Sequence, residues 1–242
     1  MRHKFFSVRN IAEDKAEIYI YGDIVSGDLE KWSDTDVCPK DIKEAVDGIG
    51  GRDVDIHIYS AGGSVFAGEA IKAMLSRLTG HKRVYIDGLA GSIASVIAMC
   101  YDELIISEGS YMVIHNPSAY AWGTADELRK TAETLDIIKS TIMDTYKGRL
   151  ADGFDSGRLP EMLDAETWLT ARDVSEMFRD VTVEEEAKPI AAKLDNNMLK
   201  CFNSVPDDLM LPKAEETDAV ALSEALKRER MANELKILRQ DM

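Results

Sequence analysis

The feature that most restricts the fold of this chain is an alternation of short β-rich runs, ended by glycine, with stretches whose apolar residues recur at helical spacing. Val54 to Tyr59 is apolar except for Asp55 and His57, and it leads into Ser60-Ala61-Gly62-Gly63-Ser64. Ala67, Ala70, Ile71, Met74, Leu75 and Leu78 then repeat every three or four residues until Gly80, the pattern of a helix with one buried face. Arg83 to Asp87 reads as the next strand, ending at Gly88, and the uncharged Ser92 to Cys100 stretch as a buried helix. Upstream, Glu17 to Tyr21 is a strand ended by Gly22-Asp23, and Pro39 opens a short helix through Ile42, Ala45 and Val46. Leu104-Ile105-Ile106 and Tyr111 to His115 are two further strands. Strands separated by helices join by right-handed crossovers rather than hairpins, so the expected fold class is α/β with a mostly parallel sheet.

From Thr124 to about Lys147, Leu128, Ala132, Leu135, Ile138, Ile142 and Tyr146 describe one long helix. It is longer than a compact domain needs, so part of it is expected to pack on another subunit. After about Val183 the character changes: Glu184-Glu185-Glu186, Pro189, Pro206 and Pro212 interrupt a polar stretch, and helical spacing returns only through Leu222, Leu226, Leu235 and Leu238. The expected organisation is a domain over residues 1–182 and a tail over residues 183–242, part linker and part amphipathic helix.

Composition excludes several classes. The 242 residues carry a formal net charge of −15 and are 45% hydrophobic, enough to close a core and too acidic to favour a phosphate backbone or an anionic lipid surface. The most apolar uncharged run, Gly88 to Tyr101, is too short to span a bilayer, and the basic start does not extend into a secretory signal. Neither nucleic acid nor membrane is an expected partner, and the expected location is cytoplasmic. Cys38, Cys100 and Cys201 are odd in number and lack Cys-x-x-Cys spacing, and the histidines form no metal-binding pair, so no disulfide framework, metal or other cofactor is expected.

Two turns lie where α/β sheets place ligand sites, beyond strand ends and before helices. In Ser60-Ala61-Gly62-Gly63-Ser64-Val65 the paired glycines allow close backbone approach, suiting an oxyanion or a phosphate. The phosphate reading is the weaker, because no Walker or dinucleotide fingerprint is present and the turn holds no basic residue; a plain connecting turn also fits. In Gly88-Leu89-Ala90-Gly91-Ser92-Ile93-Ala94-Ser95, Ser92 can be a nucleophile or simply an N-cap. His115, at a strand end before Asn116-Pro117, stands where a general base would be presented, although a solvated histidine fits there too.

Together these segments resemble the Clp-type serine peptidases and, within them, the Clp-like head maturation (prohead) proteases of tailed bacteriophages. The resemblance runs from about Ala16 to Asp180. It is carried by the Gly62-Gly63 turn with Ala67-Gly68, by Gly88 to Met99, by Met112-Val113-Ile114-His115-Asn116-Pro117, by Gly123-Thr124-Ala125-Asp126 and by Glu166-Thr167-Trp168-Leu169-Thr170-Ala171. It implies the ClpP/crotonase-like fold with a handle-like long helix, and a serine endopeptidase with Ser92 as nucleophile, His115 as base and Glu166 as acid. Ser95 is the competing nucleophile and Asp164 the fallback acid. With that triad, the backbone N–H groups of Gly63 and Ile93 would form the oxyanion hole.

The implied partners are protein or peptide substrates, further copies in a homo-oligomeric ring, and capsid or scaffold proteins. Gly91 replaces the alanine that usually precedes the nucleophile, and Arg172 to Asp180 lacks the family's glycine, so the last core helix is expected to end differently. The stretch before the first strand is short, which speaks against a dedicated ATPase partner. A housekeeping Clp proteolytic subunit, a non-catalytic capsid assembly protein and a crotonase-type acyl-CoA enzyme are the alternatives.

Overall fold

The structure is a computed structural model that describes residues 9–12, 15–185, 196–206 and 209. In chain order the elements are β1 (Arg9–Ala12), β2 (Lys15–Tyr21), α1 (Pro39–Val46), β3 (Asp53–Ser60), α2 (Val65–Ser76), β4 (Lys82–Gly91) and α3 (Ile93–Ala98). There follow β5 (Glu103–Ser107), β6 (Tyr111–Ile114), α4 (Ala125–Lys147), α5 (Leu159–Asp164), β7 (Thr167–Thr170), α6 (Ala171–Met177), β8 (Val181–Glu184) and the single turn α7 (Asn196–Leu199).

The expected α/β class is the observed one. The sheet order is β1-β2-β3-β4-β5-β8, parallel from β2 onward, with β1 added antiparallel at the edge. Period-two alternation assigns the two faces. Ile18, Ile56 and Val84 stand side by side, as do Ile20, Ile58 and Ile86, and all are essentially inaccessible beneath the helices. On the opposite face the same registers align Tyr19, His57 and Tyr85, whose rings stack at 4.7 Å, the spacing of the strands themselves. There Asp55 is held between Lys15 and Arg83, and Asp87 bonds both His57 and Tyr21. The polar residues on this face of β3, Asp55 and His57, are therefore both paired, which is why an otherwise apolar strand tolerates them.

Several boundaries differ from the sequence expectation. β4 does not end at Gly88 but continues to Gly91: Gly88 takes φ 120, the register shifts, and the strand leaves β5 to pair with β6 through Ala90 and Met112. Glycine marks a bulge here rather than a stop. β7 and β8, short and flanked by helix-like residues, carry too weak a pattern to be read from periodicity. β7 pairs antiparallel with β6, while β8 closes the sheet beside β5. The last core helix ends without glycine: Phe178 is extended and buried, and Asp180 takes the left-handed position at φ 56.

α4 begins with a capping box, Thr124 receiving the Glu127 N–H and the Glu127 carboxylate receiving the Thr124 N–H. Only its C-terminal half packs on the core, through Ile142 and Tyr146, while Leu128 and Ile137 nearer its start are exposed. A first compact unit extends to Ser204, so the composition change at residue 183 falls within β8. The second unit, from Val205, holds only Val205, Pro206 and Leu209 among the described residues, and the helix expected over 219–238 lies outside them.

Candidate active site

The extension of β4 delivers the chain directly to Ser92, which adopts φ 52 and ψ −128. A non-glycine residue held there costs about 1–3 kcal/mol, so the surroundings must impose the conformation. They do so from three sides. The Ser92 N–H donates to the Val113 carbonyl at 2.9 Å, the Ser92 carbonyl accepts from Ser95 Oγ at 2.5 Å, and Gly62 lies so close that a Cβ there would sit 2.7 Å from Ser92 Cβ. The Ser92 side chain makes no cap bond to α3, so its hydroxyl is not spent on the helix. Ser95 is fully buried, and its oxygen is engaged by both Ser92 and the Tyr146 hydroxyl at 2.8 Å.

The Gly62-Gly63 turn is brought against this elbow. Ile24, just beyond β2, donates its N–H to Gly62 O at 2.8 Å and accepts the Ser64 N–H at 2.7 Å. In such a parallel bridge the intervening Gly63 N–H points away from Ile24, and a Cβ on Gly63 would fall 2.1 Å from the Ile24 carbonyl oxygen, so only glycine fits. A Cβ on Gly62 would stand 3.3 Å from the Ile93 nitrogen, which shows how closely the turn lies on the start of α3. Among the described residues neither the Gly63 nor the Ile93 N–H is used in a hydrogen bond.

His115 follows β6 and Glu166 precedes β7. Their antiparallel register pairs Tyr111 with Thr170 and Ile114 with Thr167, so one further step places His115 opposite Glu166. Glu166 is 9% exposed and, like Ser92, left-handed at φ 50; with Asp180 these are the three non-glycine residues with positive φ among the described residues. Burial lowers the His115 pKa below its ordinary 6.5, opposed in part by the Glu166 charge and by the Asn116 backbone. The imidazole is therefore neutral at pH 7, the form a general base requires. Asp164 points elsewhere, to Asn116 Nδ2 at 2.8 Å and Lys139 Nζ at 2.5 Å, and these partners hold its pKa below the ordinary carboxylate value.

Backbone geometry thus gathers Ser92, His115, Glu166, Gly63 and Ile93 at one end of β4, β6 and β7. Among the described residues no hydrogen bond joins Ser92 Oγ to His115 or His115 to Glu166. The Glu166 carboxylate instead accepts the N–H groups of Asn203 at 2.5 Å and Ser204 at 2.6 Å on Oε1, and Asn203 Nδ2 at 3.2 Å on Oε2. The Phe202 ring stands edge-on to His115 and to Trp168, with centroids at 6.0 and 5.1 Å. Sequence reasoning missed this segment. The available signal was two apolar residues three apart, Leu199 and Phe202, in an otherwise polar stretch.

Two groups bring three potential metal donors within 4.8 Å, Glu17-Asp55-His57 and Asp28-Cys38-Asp41. Both are already occupied by cationic side chains. Lys15 and Arg83 hold Asp55, while Lys31 bridges Asp28 and Asp41 and Lys40 adds to Asp28. Among the described residues no helix is long and apolar enough to cross a membrane.

Comparison with known proteins places this geometry in context. The chain is 28% identical over 128 residues to an ATP-dependent Clp protease proteolytic subunit of Bacteroides fragilis, covering 52% of this chain and 61% of that one. It is 30% identical over 144 residues to the ATP-dependent Clp protease proteolytic subunit 3 of Rhodococcus jostii, covering 57% and 70%. A proteolytic subunit 1 of Chlamydia abortus matches at 29% over 130 residues, 52% and 67%. The chain spans about six-tenths of the length of the Bacteroides relatives it matches. Residues 47–177, more than half of the chain, match the family described as Clp protease. Since that span contains both glycine turns, the strained serine and the β6–β7 pair, this chain belongs to the Clp protease family.

Proposed function

We propose that the chain is a serine endopeptidase in which Ser92 is the nucleophile, His115 the general base and Glu166 the acid that orients it. The observation that carries this reading is the strained Ser92, wedged between Gly62 and the Val113 carbonyl with its hydroxyl uncommitted, two β6 residues from His115. Neutral His115 would take the proton from Ser92 Oγ as it attacks a peptide carbonyl, then return it to the leaving amine. Glu166, across the β6–β7 pair, would stabilise the imidazolium formed in between. The Gly63 and Ile93 N–H groups would receive the oxyanion, each typically contributing ~3 kcal/mol of transition-state stabilisation.

The substrates on this reading are polypeptides, and the protein works as a ring of copies, with the exposed first half of α4 as the handle between them. Two finer roles divide here. The relatives' name favours an ATP-dependent proteolytic subunit supplied by a partner ATPase. The Glu166-Thr167-Trp168 motif favours the phage-type role, cleaving scaffold or capsid protein during head maturation. Treatment with a fluorophosphonate probe tests the chemistry. Labelling that disappears in Ser92→Ala and persists in Ser95→Ala supports the assignment, and the reverse pattern sinks it. A co-purifying ATPase selects the first role, and cleavage of a capsid precursor by the protein alone selects the second.

A further inference from the structure

The residues just beyond the core carry an inference that rests on the triad assignment and goes beyond it. Leu199 and Phe202 are each 7% exposed and anchor a short segment onto the site, with the Phe202 N–H closing a turn on the Leu199 carbonyl at 3.1 Å. Phe202 lies over Gly91, where a Cβ would come within 2.6 Å of the ring. Gly91 is the residue before Ser92, so the ring lies one residue from the proposed nucleophile and stands edge-on to His115. The glycine at this position, in place of the alanine expected from the motif, is what makes the seat deep enough for a phenyl ring.

Beside the ring, two consecutive backbone N–H groups, those of Asn203 and Ser204, converge on Glu166 Oε1. Ser204 Oγ adds a bond to the Glu166 carbonyl at 2.8 Å. Hydrogen bonds to an ionised acceptor are the stronger kind, and these engage the carboxylate that the mechanism reserves for the histidine.

We propose that Leu199–Ser204 is an inhibitory strap: Phe202 blocks the approach to Ser92 over Gly91, and the Asn203 and Ser204 amides withdraw Glu166 from His115. Release of the strap opens the approach and frees the acid in one movement. A substrate must therefore compete with a segment of the same chain, and any event that displaces or cuts that segment activates the enzyme.

The test uses the full-length protein and two variants that weaken different halves of the strap. Phe202→Ala removes the ring, and Ser204→Pro removes one of the two amides and the hydroxyl. Losing a buried phenyl side chain shifts a bound–released equilibrium by roughly one to two orders of magnitude, so fluorophosphonate labelling of Ser92 and hydrolysis of a fluorogenic peptide should rise about tenfold or more. Both variants should show the rise, and both rises should vanish when Ser92→Ala is added. Labelling at the wild-type rate, or slower, in both variants overturns the strap while leaving the peptidase reading intact. Absence of labelling in every form overturns the peptidase reading and the strap with it.

Discussion

The serine pair at the start of α3 offers a test in which stability and reactivity separate. Ser95 Oγ has one proton, and the Ser92 carbonyl, 2.5 Å away, can only accept it. The Tyr146 hydroxyl at 2.8 Å must then donate to Ser95, and Tyr146 is itself 1% exposed. Ser95→Ala leaves that phenol without an acceptor in a site closed to water, which costs about 1–3 kcal/mol. At about 2–4 °C per kcal/mol for a chain of this size, the melting temperature should fall by roughly 2–12 °C. Tyr146→Phe alone should cost less, about 0.5–1.5 kcal/mol, because Ser95 keeps its bond to Ser92. In the double variant the stranded hydroxyl is gone, so the two losses should fall short of their sum by about 1 kcal/mol. The assays are thermal unfolding and fluorophosphonate labelling on the same four proteins. Ser95→Ala should lose stability and keep labelling, because the Val113 carbonyl and the Gly62 contact still hold Ser92. Loss of labelling at an unchanged melting temperature would refute the reasoning, since it would make Ser95 the reactive group.

Three further outcomes follow from the same geometry. Gly62→Ala would force a Cβ to 2.7 Å from Ser92 Cβ at φ 110; with Ser92 as the proposed nucleophile, displacing it by an ångström should slow labelling by about 10²-fold, and a fully reactive, undestabilised variant would show that the contact does not hold Ser92. The two candidate acids should separate: Glu166→Gln should lower peptide turnover at least about tenfold, whereas exposed Asp164→Asn should change it less than about threefold, with comparable losses counting against the assignment. Because burial lowers the His115 pKa, its neutral form persists to lower pH, so activity should rise with pH through an apparent pKa below 6.5. The Glu166 charge raises that pKa, so Glu166→Gln should move the rising limb further toward acid; a limb above 7 in the wild type would contradict the burial argument.

The elements with strong local patterns were legible in advance. β2, β3 and α1 to α4 fall within a few residues of their expected places, because helical spacing and β-rich runs bounded by glycine record which face each segment buries. The boundary at Gly88 was misread because a glycine ending a strand and a glycine bulging one look alike in sequence; only the change of partner from β5 to β6 tells them apart. β7 and β8 were missed for the related reason that four-residue strands owe their existence to the neighbours they pair with. The two glycine turns and the histidine at a strand end marked where chemistry could sit. Their meeting, and the approach of Glu166 from fifty residues beyond His115, required the β4–β6 and β6–β7 registers.

By itself the sequence determined the α/β class, the order of the main strands and helices, and the residue types able to carry acyl-transfer chemistry, because these depend on local periodicity and on the chemistry of single side chains. Only the tertiary structure decided which way β4 runs past Gly88, that Ser92 is held in a strained conformation while Ser95 is walled in by Tyr146, and that Phe202, Asn203 and Ser204 return to cover His115 and Glu166. Each of these depends on contacts between residues tens of positions apart, and no local pattern encodes the free energy of closing those loops.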